Sequence, residues 1–177
     1  MYLIELMNAR HMSRTDLSDL SGVPESTLRD ILTGKAQLDR CEAATLYSIA
    51  EALDVSICKN LLLTPRNRSA FYLLCMPGDK PFSTKDFSKL IGSSRLSFAT
   101  EEDLIGLLGC HAGSASILGL MNDTEHRVTL AIDRTVAEDE WFGCHPCENT
   151  SSLRLKTCDV LEKFLPATGH EAVIVDL

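Results

Sequence analysis

The sequence lacks any run of about 20 apolar residues, the length that a membrane-spanning helix requires. Its amino-terminal stretch, MYLIELMNARHM, also lacks the charged start, apolar centre and small-residue cleavage site of a signal peptide. Seven cysteines in a chain without an export signal are typical of reduced thiols in a cytoplasm. We therefore expect a cytoplasmic protein that makes no membrane contact.

An excess of basic residues is also absent. The 17 Lys and Arg residues are outnumbered by 25 Asp and Glu residues, which gives a formal net charge of −8 at pH 7. Such a charge argues against broad, nonspecific attraction to nucleic acid. The 177 residues, 45% of them hydrophobic, are enough for one medium domain or for a small and a medium domain together.

One cysteine pair has the spacing of a metal or redox motif, Cys144-His145-Pro146-Cys147. A structural zinc site needs four ligands, and the sequence has neither a second CxxC nor a His-x₃₋₅-His. A thioredoxin-like pair opens a helix early in a βαβ unit, whereas this pair lies late in the chain and precedes a turn. Zinc and redox roles stay open, but the pattern favours ordinary small side chains, with no metal and no cofactor.

The first 57 residues repeat their apolar side chains at helical spacing. Ser13 and Asp16 have the spacing of a capping box, and Gly22 suits a left-handed turn between two helices. Pro24 fits the first turn of the following helix, where its missing N–H costs nothing. These signals predict four or five short helices.

After about residue 56 the pattern changes to short apolar runs separated by turns. Helices are expected from Ser83/Thr84 to about Leu90, from Thr100 to Leu108, and after a capping Thr157. The predicted strands are ICKNLLLT, AFYLLCM, RLSFA, RVTLAID, SLRLK and AVIVDL. The fold class is therefore α+β, with an all-helical module at residues 1–57 and a mixed, largely antiparallel sheet at residues 58–177.

The helical segment resembles the Cro/repressor-type helix-turn-helix over the stretch MSRTDLSDLSGVPESTLRDILTGKAQLDRCEAATLYSIAEALDVS. The resemblance implies that residues 24–32 form a recognition helix whose amino-terminal end enters the major groove of DNA. The residues that it places nearest the bases are Glu25, Ser26, Thr27 and Arg29. Residues 1–57 carry five basic and nine acidic side chains, so a module for protein contacts is the alternative.

Residues 58–177 resemble the YbaK/ProX family of freestanding aminoacyl-tRNA editing domains, especially its alanyl-prolyl-tRNA deacylase branch. The matching blocks, in order, are CKNLLL, YLLCMPGDKPF, SRLSFAT, GSASILGLMND, EHRV, GCHPCENTSSL and EKFLPATGHEAVIVDL. The resemblance implies a hydrolase that removes a wrong amino acid from the terminal ribose of tRNA, most simply alanine from tRNA(Pro). Its partner would be the aminoacylated 3′ end of tRNA.

The resemblance also assigns roles to individual residues. Lys59 of the KNL block would contact the phosphate or ribose of the tRNA terminus, and Gly113 would present a backbone N–H to the developing oxyanion. His145 would shape the pocket, and the ribose hydroxyl of the substrate itself would assist the reaction. The substrate-binding residues would be Asn60, Ser114, Asn122, Asn149 and Thr150.

A small pocket of this kind supplies selectivity that a synthetase lacks. A hydrophobic site separates substrates that differ by a methylene by only about 10- to 200-fold, so a second site that admits alanine and excludes proline is needed. The resemblance gives the cysteines no part in this chemistry.

The family normally has some 40–50 further residues before the KNL block, and the helix-turn-helix stands in their place. A sheet without that segment is expected to have an open edge, which the helical module or a partner, such as a second copy in a homodimer, would cover. This difference leaves a second hypothesis. The protein would then be a DNA-binding transcription regulator whose second domain is a ligand or tRNA sensor, or a dimerisation unit.

Overall fold

The chain divides into two compact units, Met1–Ile57 and Cys58–Leu177. The computed structural model describes residues 3–36, 41–53, 58–148 and 153–177, apart from the side chains of residues 43, 44, 47 and 51.

The described part of the first unit is helical. Its helices are α1 (Leu3–Ala9), α2 (Arg14–Ser21), α3 (Glu25–Leu32) and α4 (Ala43–Ala52). All four helices contribute to one apolar core, which consists of Met7, Leu17, Val23, Leu28, Ile31, Ile49 and Leu53.

Local signals fix the pair α2 and α3. The Ser13 hydroxyl accepts the Asp16 N–H at 3.1 Å, and the Asp16 carboxylate accepts the Ser13 N–H at 2.8 Å, so the capping box is present. Gly22 ends α2 with φ +68°, a left-handed conformation that most other residues avoid. Leu17 and Leu28 are fully buried and hold the two helices together.

The second unit is built on a mixed sheet of five strands. These are β1 (Cys58–Pro65), β2 (Phe71–Pro77), β3 (Leu96–Phe98), β4 (Val128–Asp133) and β7 (Ala172–Val175), in the order β3-β1-β2-β4-β7. β1 runs antiparallel to β2 and β3, whereas β4 runs parallel to β2 and β7. A separate antiparallel ribbon consists of β5 (Trp141–Cys144) and β6 (Leu153–Lys156).

Short helices connect these strands. They are α5 (Thr84–Leu90), α6 (Glu101–Leu108), a 3₁₀ helix (Ile117–Asn122), α7 (Arg134–Glu138), α8 (Thr157–Asp159), a π-helical segment (Val160–Phe164) and α9 (Leu165–Thr168). The prediction of helices followed by a mixed, largely antiparallel sheet is confirmed. Among the described residues, no helix is long and apolar enough to cross a membrane.

The five-stranded sheet has an apolar core on each face. On one face, side chains such as Leu63, Leu74 and Phe87 pack together, so α5 covers this side. The other face forms the larger core with α6, the 3₁₀ helix, the π-helical segment and β5, through residues such as Phe142. Because side chains alternate along a strand, neighbouring residues of β1 belong to different cores.

Candidate functional site

Two of the segments predicted to form the site meet on the larger core. The Ser116 hydroxyl donates a hydrogen bond to the backbone carbonyl of His145 at 2.5 Å, and it accepts the Leu118 N–H at 3.2 Å. The same side chain therefore caps the 3₁₀ helix and joins the 110–116 loop to the end of β5. Gly113 and His145 thus belong to adjacent loops.

The 110–116 loop contains a tight turn that uses the polar groups of Ser114. Its N–H and its hydroxyl both donate to the His111 carbonyl at 3.0 Å, and its oxygen accepts the His111 N–H at 3.1 Å. Ser114 is buried, so these groups have little room for a substrate. Gly113 is exposed, has φ +85°, and would have open space around an added Cβ. A substrate can therefore approach the backbone of Gly113 closely.

Asn60 lies on the same face of the sheet as these loops. It pairs with Cys75 across β1 and β2, and directly opposite side chains share a face. Cys75 belongs to the larger core, which also contains Cys58 and Cys144. The Oδ1 atom of Asn60 is buried and has no hydrogen-bond partner within the described part of the chain. A buried acceptor of this kind is costly unless a ligand or water satisfies it.

Lys59 points away from Asn60, toward the core that α5 covers. Its ammonium donates to the carbonyl oxygen of Gly78 at 3.3 Å and to that of Lys80, so it holds the turn after β2. The Lys80 ammonium in turn lies 2.8 Å from the buried carboxylate of Asp133. Lys59 is half-buried rather than fully solvated. No hydrogen bond links it to Gly113 or His145 among the residues described.

Neighbouring groups stabilise the ionised form of the Asp133 carboxyl at the end of β4. Burial alone would raise its pKa, but the hydrogen bonds from Lys80 and from the Thr135 N–H outweigh burial and lower the pKa. A charged hydrogen bond from Lys80 therefore joins the turn after β2 to the end of β4.

The remaining predicted substrate contacts have different outcomes. The Asn122 amide donates to the Leu108 carbonyl at 2.8 Å and so closes the carboxy-terminal end of α6, which is a structural task. The predicted contacts Asn149 and Thr150 lie outside the described residues.

Three buried cysteines near the site, Cys58, Cys110 and Cys144, are neutral thiols. Burial raises the pKa of Cys58 to about 12 and that of Cys144 to about 11, despite hydrogen bonds that lower both values. Burial and a hydrogen bond with Cys147 raise the pKa of Cys110 to about 12. Because the thiolate is the reactive form, thiols with such pKa values are poor nucleophiles. Within the described ranges, no three His, Cys, Asp or Glu side chains are grouped so as to hold a metal ion.

Sequence reasoning missed a buried polar pair, Asp123 and His170. The Asp123 carboxylate also accepts the backbone N–H groups of Arg127 and Val128, at 3.0 and 2.7 Å. The ring of His170 reaches both Asp123 and Thr168, so it joins the end of the 3₁₀ helix to the turn before β7. The sequence did contain a signal. Asp123 is the last residue of the matching block GSASILGLMND, and His170 lies within the matching block EKFLPATGHEAVIVDL.

In the first unit, the predicted DNA-contacting residue Glu25 is held by α2. Its Oε1 accepts the Thr15 hydroxyl at 2.7 Å, and its Oε2 lies 3.2 Å from the Arg14 guanidinium. The Thr15 hydrogen bond lowers the pKa of Glu25 more than burial raises it. Glu25 therefore has a structural role between α2 and α3.

The other three predicted DNA contacts differ in exposure. Ser26 and Arg29 are exposed on α3, whereas Thr27 is half-buried. Asp30 lies 3.7 Å from Arg29 and 3.6 Å from Lys35, so one carboxylate partly neutralises both cations.

Two protein-family models match this sequence. The family model of the aminoacyl-tRNA editing domain matches residues 41–163, more than half of the chain. The chain belongs to the aminoacyl-tRNA editing domain family. The model of the Cro/C1-type HTH DNA-binding domain matches residues 2–58, and the two matches overlap around α4. Both resemblances found in the sequence are confirmed.

Two relatives of this editing domain come from a fish and a bacterium. The prolyl-tRNA synthetase associated domain-containing protein 1 of Danio rerio is 32% identical over 121 residues, which cover 67% of this chain and 65% of the relative. The prolyl-tRNA editing protein ProX of Acetoanaerobium sticklandii is 31% identical over 121 residues, 68% of this chain and 73% of the relative. The chain thus spans slightly less than two thirds of the Danio rerio protein.

Solved structures share the fold of the editing domain. A crystal structure reported as a candidate trans-editing enzyme for prolyl tRNA synthetase superimposes with a TM-score of 0.53 at 17% identity. The superposition covers 73% of this chain and 78% of the other. At this identity the likeness concerns the fold alone.

Proposed function

We propose that residues 58–177 form a domain that hydrolyses the ester of a mischarged aminoacyl-tRNA, most specifically alanyl-tRNA(Pro). The observation that carries the proposal is the buried, unpartnered Oδ1 of Asn60 on the sheet face of the Gly113 and His145 loops. The α-ammonium group of an esterified amino acid is a donor that would satisfy this acceptor. The names of the relatives, a prolyl-tRNA editing protein among them, support the substrate class.

The chemistry requires few groups. Water attacks the ester carbonyl, the carbonyl oxygen becomes negative, and the ribose oxygen leaves with a proton. The exposed, left-handed turn at Gly113 lets the backbone approach that oxygen, where an N–H donor stabilises it. The ribose hydroxyl of the substrate would help to deliver the water, so no protein nucleophile is needed, and the raised thiol pKa values agree with this.

Lys59 would act at the tRNA terminus through its remaining donor. An ammonium has three N–H groups, and two point to the carbonyl oxygens of Gly78 and Lys80. The third would bind a phosphate or ribose oxygen. His145 would line the amino-acid pocket, with its carbonyl fixed by Ser116.

A second function is favoured by a different observation. Residues 1–57 match a DNA-binding domain, and several polar groups of the predicted site, in Ser114 and Asn122, are bound within the chain. We propose as the alternative a transcription regulator whose residues 58–177 sense a small ligand or tRNA, or form a homodimer. DNA would be the partner of residues 1–57.

The deciding experiment is a deacylation assay of the full chain with alanyl-tRNA(Pro). Prolyl-tRNA(Pro) and the uncatalysed hydrolysis of both esters are the references. The editing proposal predicts that the protein releases alanine faster than proline. It also predicts that the release of alanine is faster than the uncatalysed hydrolysis of the same ester. A wild-type rate equal to the uncatalysed rate would leave the regulator as the function.

A further inference from the structure

The ribbon of β5 and β6 has two faces of opposite character. Phe142 and Cys144 are buried in the larger core, and their partners across the ribbon are Leu155 and Leu153. The alternate pairs are Trp141 with Lys156 and Gly143 with Arg154. Because directly opposite residues share a face, these four form the other side of the ribbon, called here the outer face.

The outer face combines one aromatic ring with two cations. The guanidinium carbon of Arg154 lies 4.2 Å from the centre of the Trp141 ring, and the Lys156 ammonium lies 5.8 Å from it. Gly143, opposite Arg154, adds no side chain, so a planar group can lie close to the backbone there. Both cations are exposed, and neither has a carboxylate within ion-pair distance in the described parts of the chain.

The positive character of the outer face is local. The cavity of about 390 Å³ beside Lys156 is lined by Asp139, Glu140 and Glu162 as well. Arg154, which does not line this cavity, is therefore the cation best placed to attract an anion. On a protein with a net charge of −8, a patch of two cations around a tryptophan is a specific feature rather than part of a basic surface.

The ribbon leads directly to the candidate site. β5 ends at Cys144, and the next residue is His145, whose carbonyl is held by Ser116. A chain lying along the outer face would end beside the loops of Gly113 and His145. Single-stranded nucleic acids bind to such surfaces, where bases stack on aromatic rings and cations follow the phosphates. Arginine planes stack on bases as well.

We propose that the outer face binds the unpaired 3′ end of tRNA, with a base stacked at Trp141 and Arg154 and phosphates bound by Arg154 and Lys156. This inference rests on the proposed editing function, because it names how the same site holds its substrate. The ribbon would guide the terminal ribose to the 110–116 loop.

The test measures binding of an uncharged RNA, so it needs no catalysis. The probe is a stem-loop with the acceptor stem of tRNA(Pro) and an unpaired CCA end, titrated with the full chain at several salt concentrations. The double variant Arg154→Gln with Lys156→Gln should weaken binding and lower the salt slope by about 0.7 for each lost phosphate contact. Trp141→Leu should weaken binding about tenfold or more.

The matched control removes two cations from α5, which lies away from the ribbon on the opposite face of the five-stranded sheet. Lys85 and Lys89 are exposed on α5, whose Phe87 packs in the opposite core. The double variant Lys85→Gln with Lys89→Gln changes the net charge equally and should leave the binding unchanged. Melting temperatures of both double variants should match wild type, since all four side chains are exposed.

The outcomes separate this inference from the editing proposal. The affinity of the wild type should fall when the CCA end is removed from the probe. For this shortened probe, the Arg154 and Lys156 variant should bind as well as the wild type. Equal loss in both double variants, or equal binding of a DNA duplex with the same stem, would overturn the inference. If wild type binds the probe through Arg154 but deacylates nothing, the editing proposal fails and this one stands. If the Arg154 and Lys156 variant deacylates the substrate with an unchanged KM, the editing proposal stands and this inference fails.

Discussion

The carboxylate of Asp123 and the imidazole of His170 lie 3.2 Å apart in the interior of the second unit, and both side chains are almost fully buried. Burial alone would raise the pKa of Asp123. The N–H groups of Val128 and Arg127 and the His170 ring outweigh burial and hold the pKa below its ordinary value of 3.8. The pair therefore stabilises the fold while Asp123 is ionised.

The first prediction concerns Asp123→Asn. The amide cannot accept both backbone N–H groups and His170 as a carboxylate does, so we expect a loss of about 3 kcal/mol in the free energy of unfolding at pH 7. Because the folded pKa is lowered, this contribution is full above about pH 4 and is lost as pH falls toward the folded value. Urea unfolding between pH 3 and pH 7 measures it.

The variant should thus differ from wild type less and less as the solution becomes more acidic. Glu125→Gln, which removes an exposed carboxylate from the same turn, is the control and should change little. A constant difference between Asp123→Asn and wild type from pH 3 to pH 7 would contradict the assignment.

The second prediction concerns the CxxC pair. Neither Cys144→Ala nor Cys147→Ala should release a metal or change the response to a chelator. Cys144→Ala should cost about 1 kcal/mol in stability, because the thiol is packed in the larger core. Cys147 is only half-buried, so its alanine variant should cost less. Elemental analysis and thermal unfolding provide the readouts, and zinc present in wild type alone would show that the pair is a metal site.

The third prediction concerns DNA binding by residues 1–57. If α3 reads bases, Arg29→Ala should weaken specific binding by about 1–3 kcal/mol at one base position. Lys35→Ala should weaken binding equally for all sequences. Asp30→Asn should strengthen binding and steepen its salt dependence, because it frees both cations. Selection from a random duplex pool, followed by titration, tests all three.

If no sequence is enriched at low salt, α3 belongs to a protein-contact surface. The Asp30 carboxylate would then serve to hold Arg29 and Lys35, and Asp30→Asn would lower stability instead of raising DNA affinity.

The fourth prediction concerns Lys59→Ala. Loss of the ammonium that is proposed to bind the tRNA terminus should slow deacylation about 10²- to 10³-fold. The variant should also lose about 1–2 kcal/mol of stability, because the hydrogen bonds to Gly78 and Lys80 disappear. His145→Ala should mainly reduce the preference for alanine over proline. Single-turnover rates, taken well below each melting temperature, separate rate from folding.

Lys80→Gln is the matched control for that experiment. It loosens the same turn by removing the pair with Asp133, yet leaves the Lys59 ammonium in place. If Lys80→Gln slows the reaction as much as Lys59→Ala does, then Lys59 acts only by positioning the turn.

The sequence predicted those parts of the fold that depend on local signals. Ser13 and Thr100 both begin helices through capping boxes, and Gly22 ends α2 in a left-handed conformation. These features depend on side chains three or four positions apart, so a pattern shows them. Thr157 was misread, since it is the first residue of α8, Lys156 occupies the capping position, and the Thr157 hydroxyl has no partner in the described chain.

The strand β5 was missed because its signal is weak. A strand of four residues, one of them Gly143, is too short to show an alternation of apolar and polar side chains. Its partner strand β6 begins only at Leu153. Local patterns say equally little about the candidate site. Its members were named by resemblance, but the contact between Ser116 and His145, 29 positions apart, has no local pattern. Nor does composition reveal that the Lys59 ammonium faces the Lys80 carbonyl.

The strand order β3-β1-β2-β4-β7 has a consequence for how the chain assembles during folding. β1 and β2 are closed by a turn in which the Thr64 hydroxyl meets the Ala70 carbonyl, six positions later. The last strand is fixed from much farther away, as when Arg134 binds Asp176 at a separation of 42 positions. Closing the longer loop costs more entropy, so we expect the hairpin to form early and β7 to dock late. The strand β4 can therefore receive its second neighbour only after Ala172–Val175 has left the ribosome.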